Sequence, residues 1–189
     1  PLWSRGLGDV YKRQLLTLNL VSVKNFGEIE FWFSMIKIVA IVALIIVGGG
    51  MIAVGFTSPS GAQASVANLW NDGGMFPNHF IGFLGAFQIA VFAFMGSELV
   101  GTTAAETQDP EKTLPKAINA VPVRIMVFYV GALAVILMVT PWRLVSPDKS
   151  PFVAMFTLAG LGIAAHIINF VVITSATSSA NSGIFSTSR

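Results

Sequence analysis

The sequence predicts an all-α membrane protein, and three observations carry that prediction. Of 189 residues, 54% are hydrophobic and only 11% are charged, against about 25% charged in a typical soluble domain. Four apolar segments approach or exceed the ~20 residues that a helix needs to cross a bilayer, and mean hydropathy over the whole chain is +0.75. None of these segments alternates every second residue in blocks of about ten, the mark of a transmembrane barrel strand. Open sheet edges and irregular backbone cannot face lipid, so helices remain. The same composition excludes other classes. The formal net charge is +2, and the basic residues lie between apolar blocks rather than along one stripe, which argues against a nucleic-acid partner. Cysteine is absent, so there is neither a disulfide framework nor a thiolate metal site.

The elements follow in order. Residues 1–14, PLWSRGLGDVYKRQ, show no helical or strand period and are read as a leader foreign to the domain at 15–189. Leu15–Val23 is too short to span and reads as the end of an earlier helix. Phe31–Val54 is the first span, interrupted by Lys37 and closed by Gly48, Gly49 and Gly50. His79–Thr103 is the second and contains Glu98. The third runs from Arg124 or Ile125 to Val139, extendable back toward Ile118, and Pro141 ends it. Phe152 to about Ser182 is the fourth, with a polar last third. The chain stops at Arg189 directly after this segment, and both ends are read as truncations.

Basic residues orient the spans. The linker from Ala104 to Val123 carries Lys112 and Lys116, whereas Met51–Phe80 carries no Lys or Arg. The positive-inside rule puts the first of these in the cytoplasm, with Lys24 and Arg189, and leaves Arg143 and Lys149 outside.

Candidate chemistry lies in the polar residues that interrupt the spans, because an ionisable group in hydrocarbon is costly and marks a site or a pathway. Glu98 follows Gly96 and Ser97, where a helix break would free backbone groups able to hold a zwitterion. The structural alternative is a hydrated carboxylate near the cytoplasmic end of its span. Lys37 sits about two turns inside the first span. It either snorkels to the interface or serves as a buried ammonium in place of a bound cation, and spacing leaves both open. The stretch TSATSSANSGIFSTSR carries hydroxyls at Thr174, Ser175, Thr177, Ser178, Ser179 and Ser182, which suit close helix packing as well as they suit an ion or ammonium site. His166 lies mid-span, where a hydrogen-bonded histidine between helices explains it as well as a proton relay does. No phosphate loop, metal-spaced histidine pair or Ser/His/Asp set occurs, so hydrolytic chemistry has no support.

The run FQIAVFAFMGSELVGTTAAETQDPEKTLPKAI carries F-x-G-x-E followed by A-E-x-x-D-P-x-x-x-x-P-x-A-I. It resembles the sixth helix and following cytoplasmic loop of the bacterial amino acid transporter family, within the amino acid-polyamine-organocation superfamily. FWFSMIKIVAI resembles that family's fifth helix, and NFVVITSATSSANSGIFSTSR its eighth. The resemblance covers about residues 15–189. It implies a twelve-helix parent with two five-helix inverted repeats, of which this chain holds the end of helix four through helix eight. It implies a substrate site around Phe92, Ala93, Phe94, Met95, Gly96 and Ser97, and a proton-coupling or gating role for Glu98. It further implies that Lys37 occupies a sodium-like position, with a helix-eight partner at Ser178 or Ser179. His166 has no counterpart in the pattern. The family's glycine-rich helix-one motif is not among these residues.

The expected partners are accordingly a small amino acid, a proton and the lipid bilayer of a bacterial inner membrane, with no cofactor, no metal and no enzymatic step. The expected activity is proton-coupled uptake of small neutral amino acids. Two alternatives stand beside it. One is a permease for another class, such as GABA, proline or aromatic or cationic amino acids. The other is a non-transport membrane subunit in which Lys37 and Glu98 only lock helices together.

Overall fold

The computed structural model describes residues 23–74, 76–91, 94 and 109–187, with the side chains of 23–26, 29, 181 and 184–187 left aside. Its helices are α1 (Val23–Ala53), α2 (His79–Ala90), α3 (Pro110–Val139), α4 (Pro151–Leu158) and α5 (Gly162–Thr187). Among the described residues the extended structure is limited to an isolated antiparallel bridge, Thr57 with Gln63. Among the described residues, three helices are long and apolar enough to cross a membrane: Glu30–Ala53, Pro110–Val139 and Gly162–Ala180. Their surfaces are what lipid or neighbouring helices require. Phe31, Trp32, Val39 and Ile46 on α1 and Ile163, Ile167 and Phe170 on α5 are exposed in the isolated chain, a quantity of apolar surface that a soluble monomer does not carry.

The fourth predicted span is not one helix. Phe152–Ser182 divides into α4 and α5 at Ala159, Gly160 and Leu161. Gly160 takes φ +75°, the left-handed conformation that glycine adopts without a Cβ penalty. Its N–H donates to the Thr157 carbonyl at 3.0 Å and the Leu161 N–H to that of Phe156 at 3.0 Å, which is the Schellman pattern of a helix stop. At 8 residues α4 is far too short to span. The crossing segment is α5 alone.

The third span starts earlier than predicted. The region read as a linker up to Val123 is helical from Pro110, so the run to Val139 covers 30 residues. Pro110 suits the first turn, where its missing N–H would have no partner anyway. Pro115 and Pro122 lie inside the helix, and Pro122 has no N–H to offer the Ile118 carbonyl. Directly after it the helix widens to a π segment over Ile125–Gly131 before regular α geometry resumes. At 1.5 Å per residue the run exceeds a ~30 Å hydrocarbon core, so its start, with Glu111, Lys112 and Lys116, extends beyond lipid. α1 also starts before its predicted Phe31 boundary, at Val23. The second predicted span is described only as α2 and Phe94, and most of residues 91–103 lies outside the described residues, as does the suggested earlier helix before Val23.

The chain divides into two compact units, one from residues 23–39 and 170–187 among those described, the other from residues 40–169. The larger unit has its core on Leu44, Ala132, Ile136, Val139, Met155 and Phe156. Ala40, Leu44, Gly48 and Met51 form the buried stripe of α1, at the 3–4 residue spacing of one helix face. Gly48 is required there, because a Cβ would overlap Val135 Cγ1 and lie 3.1 Å from Met155 Cε. The loop after α1 closes over the end of α3. The Met138 carbonyl, an orphan of the last helical turn, accepts from the Ser65 N–H at 2.9 Å and from Asn68 Nδ2 at 2.8 Å. Trp142 Nε1 donates to the Asp72 carbonyl at 3.1 Å. Arg143 Nε lies 3.7 Å from Asp72 Oδ1, a contact worth little at this exposure. The loops that the basic-residue count assigns to the outside thus meet at one end of this unit.

The smaller unit pairs the start of α1 with the second half of α5, and it contains the candidate site.

Candidate functional site

Lys37 and Glu30 lie seven residues apart on α1, close to two full turns, so both project from one face. That face continues the helix's buried stripe. Opposite them stands Ser178 on α5, 1% exposed. Lys37 Nζ donates to Ser178 Oγ at 3.0 Å, and Ser178 Oγ donates to Glu30 Oε2 at 2.6 Å. Lys37 and Glu30 are each half-buried.

The local sequence accounts for this arrangement. Side chains on a helix lean toward its N-terminus, so Lys37 reaches back along α1 toward Glu30. Ser175 and Ser182 lie one turn to either side of Ser178 on its own face and are half-buried, and small residues let two membrane helices approach closely enough for a short serine to bridge them. A buried hydroxyl needs its hydrogen-bonding capacity met, and Ser178 meets it with one charged donor and one carboxylate acceptor. Both bonds are of the charge-assisted kind, which runs shorter and stronger than neutral pairs. The other hydroxyls nearby behave differently. Thr174 donates to Val171 at 2.9 Å, Thr177 to Ile173 at 3.1 Å and Ser179 to Ser175 at 3.1 Å. These bonds return to carbonyls of α5 itself. Of the two partners considered for Lys37, the structure brings Ser178 to it, whereas Ser179 turns back to its own helix.

Glu30 is the residue that sequence reasoning missed. It sits just before the apolar run, where a carboxylate looks like an ordinary hydrated interface group. The available signal was its spacing from Lys37, since an acid and a base seven apart share a helix face.

Of the predicted substrate residues, Phe92, Ala93, Met95, Gly96 and Ser97 lie outside the described residues, as does Glu98. Phe94 is described. It is exposed, in a turn, and its N–H donates to the Val91 carbonyl at 3.0 Å. His166 is exposed on α5, between the buried Ala165 and Ile168, and His79 is exposed at the start of α2. Among the described residues no group of three or more His, Cys, Asp or Glu side chains is gathered to hold a metal ion.

The geometry supports one kind of chemistry. An ammonium and a carboxylate, joined by a buried hydroxyl that both accepts and donates, can hold a charge between two helices and move a proton along the line of bonds.

Comparison with known proteins places these residues in a wider pattern. A family described as amino acid permease matches residues 10–189. The chain is 69% identical over 175 residues to the D-serine/D-alanine/glycine transporter of Escherichia coli strain K12, covering 93% of this chain and 37% of that protein. It is 58% identical over 189 residues to the amino-acid permease AapA of Bacillus subtilis strain 168, covering 100% of this chain and 40% of the relative. The aromatic amino acid transport protein AroP of Shigella flexneri is 48% identical over 172 residues, covering 91% of this chain and 37% of its own length. The chain therefore spans roughly two fifths of these relatives. No solved structure matches it.

Proposed function

We propose, on the premise that this chain belongs to the amino acid permease family, that the whole protein is a secondary transporter which couples entry of small neutral amino acids to entry of protons. The single observation that carries the substrate class is the 69% identity to a transporter named for D-serine, D-alanine and glycine. That figure stands well above the 48% shared with a relative named for aromatic amino acids. The setting is the inner membrane of a bacterium, crossed several times.

In this reading the substrate rests against residues 92–97, the stretch that the family resemblance assigns to the substrate, where Gly96 and Ser97 suit a small zwitterion. Glu98 and Lys37 are the coupling or gating pair, and Ser178 is the partner of Lys37. Transport proceeds by rocking of the two repeats around the site, and the charge state of the coupling groups biases which side is open. The Lys37–Ser178 bond supports this reading, because it holds a cation between two membrane helices.

The test is reconstitution of the whole protein in liposomes with an imposed proton gradient, inside alkaline. Radiolabelled glycine and D-alanine accumulate above equilibrium and are released by an uncoupler. Equilibration without accumulation, or no entry at all, overturns the proposal.

A further inference from the structure

We infer that Glu30 is the internal proton acceptor for Lys37, reached through the Ser178 hydroxyl. This rests on the coupled-transport reading and adds to it a residue that the reading does not use.

The line of bonds has a direction. Lys37 Nζ donates to Ser178 Oγ at 3.0 Å, and the same oxygen donates its own proton to Glu30 Oε2 at 2.6 Å. In the transfer, one N–H bond of the ammonium breaks and an O–H bond to Ser178 forms. The serine's original O–H bond breaks and an O–H bond to Glu30 forms. A free amine, an intact hydroxyl and a carboxylic acid remain. No atom is gained or lost, and net charge is zero before and after. Because Ser178 is 1% exposed, the path runs without bulk water. The line is reset when Glu30 releases its proton, the serine hydroxyl rotates back toward Glu30, and the Lys37 amine takes up the next transported proton.

The surroundings favour this use. On α1 the other charged residues near the pair are Lys24 and Glu28, and Glu28 is exposed. Residues 170–187 of α5 contain no titratable side chain. Among the described residues of this unit, Glu30 is thus the carboxylate placed to take the proton from Lys37. Separated charges are poorly solvated in hydrocarbon, so a route that converts them to a neutral pair lowers the cost of moving the two helices apart. Seven residues of helix place the Glu30 backbone about 10 Å nearer the helix start than that of Lys37. The basic residues assign that end to the cytoplasm, so the relay delivers the proton inward.

The experiment uses the whole protein in liposomes and compares two rates: gradient-driven accumulation, which needs net proton movement, and substrate counterflow, which does not. For Glu30→Gln, a near-isosteric change that keeps hydrogen bonding but cannot take up the proton, the ratio of accumulation to counterflow falls on the order of 10²-fold, the usual scale for a lost acid–base group. Ser178→Ala lowers the ratio in the same way, and Ser178→Thr, which restores a hydroxyl, recovers it. A ratio unchanged in Glu30→Gln overturns the inference and leaves coupled transport standing. Parallel loss of both rates also overturns it, since that is the signature of a structural role. Failure of the unmodified protein to accumulate substrate overturns the coupled-transport reading itself.

Discussion

The Lys37 ammonium donates to the Ser178 hydroxyl at 3.0 Å across 141 positions of sequence. Two helices that are far apart in the chain are thereby joined by a charged group within a membrane-spanning segment. In water such a bond would contribute little. Between membrane helices, the alternative for each partner is an unmet polar group in hydrocarbon.

Replacing Lys37 by Met keeps the length of the side chain and removes its charge. Ser178 then loses its charged donor. In the whole protein, Lys37→Met abolishes uptake while the amount of protein in the membrane fraction stays at the unmodified level. Uptake equal to that of the unmodified protein would remove the coupling role.

Substrate size gives a second outcome. If residues 92–97 line a pocket narrowed by Phe92 and Phe94, each added methylene in a competing amino acid costs about 1–3 kcal/mol. Glycine, D-alanine and D-serine therefore inhibit labelled glycine uptake at far lower concentration than tryptophan or arginine. Equal inhibition by arginine would point to a cationic carrier.

The triple glycine of α1 separates packing from flexibility. A Cβ on Gly48 overlaps Val135 Cγ1, whereas Gly49 has no neighbouring atom within 4 Å. Gly48→Ala forces Val135 and Met155 aside and costs about 1–3 kcal/mol. Gly49→Ala raises helix propensity and stabilises by up to ~1 kcal/mol. Thermal unfolding in detergent, followed by loss of helical signal, should order the two variants on opposite sides of the parent chain. The packing argument fails if Gly48→Ala unfolds at the parent temperature.

Asn68 ties the loop after α1 to the end of α3, with Nδ2 bonds of 2.8 Å to both the Gln63 and Met138 carbonyls. Asn68→Ala removes both, at about 1 kcal/mol each. The Ser65 amide, which donates to the same Met138 carbonyl, then exchanges with deuterium about tenfold faster or more. No change in that amide would show the Asn68 side chain to be idle.

Composition and residue spacing were enough to give the class and the chemistry worth looking for. A 54% hydrophobic chain with 11% charged residues has to bury its backbone polar groups in helices, because lipid offers no hydrogen bonds. Most of α1, and the apolar halves of α3 and α5, were legible for that reason. Lys37 was conspicuous because a charge within an apolar run is expensive wherever it ends up.

Tertiary structure decided the rest, for a reason that particular residues make plain. Hydropathy averages over a window, so it reads Phe152–Ser182 as one apolar stretch. It does not register that Gly160 turns to φ +75° and ends a helix. Lys112 and Lys116 made the stretch up to Val123 look like a linker, yet it is helical from Pro110, and a π segment over Ile125–Gly131 follows Pro122. Glu30 had no local distinction at all. Its place in the site comes from Ser178, 148 positions away, and such a meeting depends on which helix faces pack together. Periodicity and composition are properties of neighbours in sequence, whereas the line from Lys37 through Ser178 to Glu30 exists only once α1 and α5 lie side by side.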